Sequence, residues 1–459
     1  MDYGIVSIAI PLLTILLAIL TKDVIVSLMG GIFVGLLVLN SLNPLTSFIA
    51  LFDGIIALFS EAWIVKTLIF ILLVGSIIRL LTISGAVTSF VHYLSQKYQS
   101  LDSPRGAMLL AYFIGVVIFI ESSITSLVAG TVAKPLCDKN GVSREKLAYI
   151  CDSTSAPICS LIMFNAWGAL LLGLIMTAID SHIITGNGVS LLISSIPYNF
   201  YAIFTLLIVF GVIWFGVDIG AMKNTKPVDY IQSEFEKNSV ATPYRMLLPI
   251  IIMVLSVPIG LYLTGDGDIF KGSGSTSVYY AVIVTLLFIY LYFVPTKILS
   301  HENYFKGLYE GIGDMIPIVI IMILALLIGK IIGDLGTAKY LSNILNGNIS
   351  PIFIPLLIFW VSSITAFSTG TSWGTFSIMM PIALAIGATM DIHIPLIIAS
   401  VISGGIFGDH ASPISDSTII SSMSADCDHI SHVNTQLPYA LLAGGLASVG
   451  FLISGWFFG

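Results

Sequence analysis

Gly404-Gly-Ile-Phe-Gly-Asp-His-Ala-Ser-Pro-Ile-Ser-Asp416 (GGIFGDHASPISD) interrupts an otherwise apolar segment, residues 391–424. A helix in hydrocarbon satisfies its own N–H and C=O groups. An interruption frees some of them at several kcal/mol each, so it persists only where it faces protein or a water cavity. The stretch Cys151-Asp-Ser-Thr-Ser-Ala-Pro157 interrupts residues 146–178 in the same way. Both segments therefore read as broken helices. Just ahead of each lies an apolar stretch with a polar centre, residues 107–136 around Glu121–Ser126 and residues 352–388 around Phe367–Thr375. Their arms, at about 14 to 16 residues, are short for a ~30 Å hydrocarbon core, so re-entrant hairpins are expected.

Working outward, full spans are expected at residues 4–21, 24–40, 64–83 and 200–218, then at 245–263, 277–293, 314–333 and 438–457. Of the 459 residues, 57% are hydrophobic and 9% charged, against about 25% charged in a soluble domain. A soluble globule is excluded, and the long apolar runs do not resemble the weak alternation of a β-barrel. The order span, span, short amphipathic segment, span, hairpin, broken helix, span occurs twice. Local matches follow the same order: Phe52-Asp53-Gly54-Ile55 with Tyr309-Glu310-Gly311-Ile312, Thr125-Ser126 before Pro135 with Thr371-Ser372 before Pro381, and Ser155-Ala-Pro157 with Ala411-Ser-Pro413. The expected fold is an all-α polytopic membrane protein of about ten spans, two re-entrant hairpins and two broken helices. It is organised as two repeats, 1–218 and 245–459, joined by a linker, 219–244. Five crossings per repeat is odd, so the second copy must be inverted.

Charge bias gives the same topology, because Lys and Arg of short loops stay in the cytoplasm. With the N-terminus outside, Lys22, Lys97, Arg105, Lys134, Lys139, Arg144, Lys146, Lys223, Lys226, Lys237, Arg245, Lys297 and Lys306 fall inside, whereas Lys271 and Lys339 fall clearly outside. The linker is then cytoplasmic. The loop 425–437 is discordant: it is placed inside yet carries no basic residue. The first segment lacks a basic leader and a cleavage signature and reads as a retained helix. A net charge of −7 without a long basic tract excludes nucleic acid as a partner. Cys137, Cys151, Cys159 and Cys427 have no paired spacing, and neither a disulfide framework nor a resident metal or other cofactor is expected.

The four interruptions carry the chemistry. The first hairpin tip offers Glu121, Ser122, Ser123, Thr125 and Ser126; the first break offers Asp152, Ser153, Thr154 and Ser155. The second tip offers Ser368, Thr369, Thr371, Ser372 and Thr375 around Trp373, and the second break Asp409, His410, Ser412, Ser415, Asp416 and Ser417. Hydroxyls, carboxylates and bare carbonyls are hard oxygen ligands suited to a dehydrated Na⁺, and a carboxylate that holds Na⁺ only when ionised makes Na⁺ and H⁺ compete. Carboxyls at membrane depth are expensive and functional by default, which ranks Asp409, Asp416, Glu121 and Asp152 in that order, with Asp409, Asp416 and Glu121 as the Na⁺ ligands. The alternative for Asp152 and Asp409 is an ordinary N-cap. His410 reads as a proton relay or a packing histidine, Trp373 as a substrate wall or a packing wedge, and Asn165 and Trp167 as packing ahead of completing a ligand shell. His429 and His432, with Asp426 and Asp428, have metal-like spacing but read as a solvated loop. Asp409, His410 and Ser412 hold the letters of a hydrolase triad, but chain neighbours do not adopt that relay geometry, and no enzyme is expected.

The stretches Thr369–Gly387 (TGTSWGTFSIMMPIALAIG) and Gly404–Leu441 resemble the signature region of the NhaC family of Na⁺/H⁺ antiporters, and ESSITSLVAGTVAKPL with CDSTSAPICSLIMFNAWGA resembles that family in the first half. The resemblance implies a secondary transporter in the plasma membrane, working as a homodimer by elevator-like alternating access. It also implies a scaffold of spans 4–83 and 245–333 and a mobile unit of hairpins and breaks. Some members exchange Na⁺ for H⁺; similar proteins exchange malate for lactate or carry amino acids. The tips are rich in hydroxyls and hold no Arg or Lys, which favours cation exchange over transport of a small organic solute.

Overall fold

The computed structural model describes residues 3–21, 23–86, 89, 90, 93, 103–119, 122–163, 165–227, 242–268, 272–336, 340, 350–413 and 415–458. Among them it is entirely helical, without a β-strand. The first half holds α1 (Val6–Thr21), α2 (Val24–Leu39), α3 (Pro44–Leu58), α4 (Ala62–Ile83), α5 (Pro104–Val117), α6 (Ser122–Lys139), α7 (Arg144–Leu161), α8 (Ala166–Asp180), α9 (Gly188–Ser195) and α10 (Phe200–Phe215). The second holds α11 (Tyr244–Thr264), α12 (Gly274–Phe293), α13 (His301–Asp334), α14 (Ile354–Thr369), α15 (Ser372–Thr389), α16 (Ile394–Ala411), α17 (Asp416–Ala425) and α18 (His429–Phe458). Nine described helices are long and apolar enough to cross a membrane, and ten if α2 and α3, bent by 119° at a short break, count as one span. The bend is capped: Asn43 accepts from the N–H groups of Leu45 and Thr46 at the start of α3.

The helices sort into two packing groups. α4 packs on α12 and α13, α11 on α12, and α2 on α1, α3 and α13. The other group joins α5, α6, α7 and α17, then α10, α14, α15, α16 and α18, with α8 lying between the two sets. Glycines set the closest approaches. Gly75 of α4 and Gly311 of α13 face one another so tightly that a Cβ on either would meet the other's backbone within 2.4 Å. In the second group Gly404 and Gly408 lay α16 on α14, where a Cβ would meet the carbonyl oxygens of Phe359 and Ser363 at 2.3 and 2.1 Å. Such small-xxx-small spacing lets helices touch where lipid gives no hydrophobic drive.

Three expectations shift. The first break does not fall in Cys151–Pro157, which remains helical within α7; it falls at residues 162–165. The hydroxyls there bond back within their own helix, Thr154 to the carbonyl of Ile150 and Ser155 to that of Asp152. These two hydroxyls are therefore satisfied within the helix and do not end it. The second amphipathic segment is continuous with the span after it, giving the 34-residue α13. Helix α18 starts at His429 and not near 438, with the Asp428 carboxylate accepting from the N–H of Ser431. The other interruptions lie at residues 118–121, 370–371 and 412–415. The linker beyond Pro227, as far as 241, lies outside the described residues, as do Lys22, Lys97, Lys271 and Lys339.

The acidic loop after α17 has a local explanation. Asp426 accepts from Lys134 Nζ at 2.8 Å and Arg144 Nη1 at 2.6 Å, and Arg144 also pairs with Asp138 at 3.3 Å. The loop thus lies against the basic α6–α7 turn and shares its cations.

Candidate functional site

Asp152 lies in the middle of α7, far from either end, so it caps nothing, and it is 0% exposed. Its Oδ2 accepts from Gln436 Nε2 of α18 at 2.6 Å and from Thr418 Oγ1 of α17 at 3.1 Å. Two imidazoles flank the same oxygen: His432 Nε2 at 3.5 Å and His410 Nε2 at 3.9 Å. His410, near the end of α16, is held from both sides, by Ser153 Oγ on Nε2 at 3.1 Å and by the Tyr201 hydroxyl on Nδ1 at 2.7 Å. Gln436 Nε2 also donates to the carbonyl of His410 at 2.7 Å. Five helices, α7, α10, α16, α17 and α18, therefore converge on one buried carboxylate.

Asp409, the neighbour of His410, is buried within α16 and accepts from Ser372 Oγ, at the second hairpin tip, at 2.5 Å. Ser415, not Asp409, is the N-cap residue of α17. Around these carboxylates lie hydroxyls that bind the breaks to one another. Ser126 of α6 meets Ser421 of α17 at 2.6 Å, and Ser412 donates to the carbonyl of Phe367 at 2.8 Å. Thr125 Oγ1 donates to the carbonyl of Ile118 across the first tip. Three of the residues singled out from sequence serve their own helices. Thr369 bonds to the carbonyl of Thr365, Thr371 is the N-cap of α15 accepting from Gly374, and Thr154 turns back to Ile150. Glu121 lies outside the described residues, and Asp416 is the first residue of α17.

The polar framework is tied to packing. Asn165, at the first break, shares the two N–H groups of its Nδ2 among the carbonyls of Phe119, Cys159 and Ile162 at 2.8–2.9 Å, while its Oδ1 accepts from Gly168. One side chain thus answers the carbonyls freed at the end of α7 and beyond α5. Trp167 stands edge-on to Trp373 at 5.8 Å and to Phe376, wedging the second tip against α8. Asn199 bridges the halves of the chain: Nδ2 donates to Ser160 Oγ of α7 at 2.9 Å, and Oδ1 accepts from Ser403 Oγ of α16 at 2.8 Å.

Sequence reasoning missed His432, Gln436, Thr418 and Tyr201. His432 is not in a solvated loop: it is 0% exposed inside α18, while His429 bonds to the carbonyl of Pro413 at 2.7 Å. The signal was the spacing of His432, Thr435, Gln436 and Tyr439, which share one helical face and are all buried. Where the two packing groups part, a cavity of about 840 Å³ opens between α4, α8 and α13, lined in part by Glu61, Asp180, His182, Lys330 and Asp334.

The model of the Na⁺/H⁺ antiporter family matches residues 158–456. A Haemophilus influenzae protein of uncharacterized function is 35% identical over 98% of this chain and 91% of its own. The malate-2H⁺/Na⁺-lactate antiporter of Bacillus subtilis is 28% identical over 35% of this chain and 34% of its own. Among solved structures, the YdaH transporter of Alcanivorax borkumensis superimposes with a TM-score of 0.61 at 14% identity, covering 90% of this chain and 89% of that one.

Proposed function

Since the chain belongs to the Na⁺/H⁺ antiporter family, and so to the secondary transporters of the membrane, we propose that it exchanges Na⁺ for H⁺ by alternating access at the joined breaks. The observation that carries this reading is the setting of Asp152. Its neighbours are a hydroxyl, an amide and two imidazoles, with no lysine or arginine among its ion-pair or hydrogen-bond partners in the described residues. A buried carboxylate flanked only by imidazoles is neutralised by a proton, on itself or on an imidazole, or by a mobile cation, and proton and cation compete. Asp409 with Ser372, and the unplaced carboxylates Glu121 and Asp416, belong to the same reading. In it the two repeats are inverted, the N-terminus lies outside, linker 219–244 is cytoplasmic, and the group of α5–α7 with α14–α18 moves against α1–α4 and α11–α13 in a plasma-membrane homodimer.

A second reading, Na⁺-coupled exchange of small carboxylates or amino acids, has support from the malate/lactate relative and the hydroxyl-rich tips. Proteoliposomes with a pH-sensitive dye inside separate the two. Adding Na⁺ alone is expected to move internal pH, and Asp152→Asn or Asp409→Asn is expected to slow this at least about tenfold, the loss of a transition-state or binding interaction near 1.4 kcal/mol. Movement that requires added malate, lactate or an amino acid would replace the first reading with the second.

A further inference from the structure

The atoms that hold the cation can be taken further than the helices that carry them. Asp152 spends Oδ2 on Gln436 and Thr418, whereas Oδ1 is buried without a protein partner. The amide of Gln436 is fixed in orientation: its nitrogen faces two acceptors, Asp152 Oδ2 and the carbonyl of His410. Its Oε1 is therefore engaged by neither, and it too is buried and without a protein hydrogen-bond partner. One turn earlier on α18, fully buried His432 has its Nδ1 in the same state, while its Nε2 stands 3.5 Å from Asp152 Oδ2. A buried polar atom left unsatisfied costs about 1–3 kcal/mol, and three of them at one carboxylate and its neighbours would be a heavy standing cost for a packing role alone. The two spare oxygens, one of them anionic, belong to side chains in direct contact, and both are hard donors of the kind that a small monovalent cation takes.

Resting on the exchange reading above, we propose that the transported Na⁺ sits between Asp152 Oδ1 and Gln436 Oε1, with His432 lining the seat. This makes Gln436 of α18 a ligand and places the seat at the α7–α18 contact, beside the Asp409–Ser372 contact of the second hairpin. The test is the Na⁺ dependence of exchange in proteoliposomes. Gln436→Leu is expected to raise the KM for Na⁺ about tenfold or more with little change in kcat. Absence of Na⁺-driven exchange in the unaltered protein would remove the exchange reading itself. Exchange in the unaltered protein together with an unchanged KM in Gln436→Leu would overturn the seat alone. Should the leucine variant fail to fold, the unaltered protein still decides: a hydrophobic carbodiimide should modify Asp152, read by mass spectrometry, and Na⁺ but not choline should protect it. Equal modification with and without Na⁺, zero included, overturns the assignment.

Discussion

Asn165 does with one side chain what a longer loop would otherwise require, collecting three carbonyls and capping α8. Its replacement by alanine leaves those carbonyls without their donor in a dry interior. The expected cost is about 3 kcal/mol, near 1 for each of its two N–H donors and its one accepted bond, read as a lower thermal midpoint of the purified protein in detergent. At this scale the sequence was legible where a polar residue interrupts an apolar run, as Asp152, Asp409 and Ser372 do. It was illegible where a polar residue belongs to a polar run. His432 and Gln436 sit in a segment that hydropathy reads as a water-facing loop, because composition does not distinguish a polar face turned to solvent from one turned to an internal carboxylate.

Among elements, the α14–α16 contact decides where Asp409 stands. Gly408 touches the carbonyl of Ser363, and the next residue, Asp409, reaches Ser372. Gly408→Leu is expected to push α16 off α14 and to abolish Na⁺-dependent exchange, whereas Gly445→Leu, at a helical position where a Cβ meets nothing within 4 Å, leaves it intact. Transport assays on both variants, with size-exclusion profiles as the folding check, test this. Helix existence was legible from apolar length, and the tip at Gly370 from its Gly-Thr-Ser run. The shift of the first break was not legible, because Ser and Thr that bond back to their own helix look, in sequence, like Ser and Thr that end one.

At the scale of the molecule, the Lys134–Asp426–Arg144 group fastens the α6–α7 turn to the α17–α18 turn. The hydrogen bond from Lys134, with Arg144 beside it, holds the Asp426 carboxyl below the usual carboxylate range. A carboxyl lowered on folding contributes stability above its unfolded value, near 3.9, and loses it as pH falls through the lower folded value. Asp426 is 59% exposed, so screening limits the effect to less than about 1 kcal/mol. The stability difference between Asp426→Asn and the unaltered protein is expected to be constant from about pH 6 to 8, to fade as pH falls below about 4 and to shrink in high salt; thermal melts across pH and salt check all three.

Asn199 has a mechanical consequence. With Ser160 on one arm, Ser403 on the other, and Tyr201 two residues on gripping His410, the start of α10 rivets a helix from each half of the chain. Sliding α7 along α16 by a single turn would break this bridge on one side or the other, either Asn199–Ser160 or the pair Asn199–Ser403 and Tyr201–His410. Whatever stroke the protein makes, these three helices travel as one strut, and spin labels placed on the outer ends of α7 and α16 should keep their separation through the whole cycle.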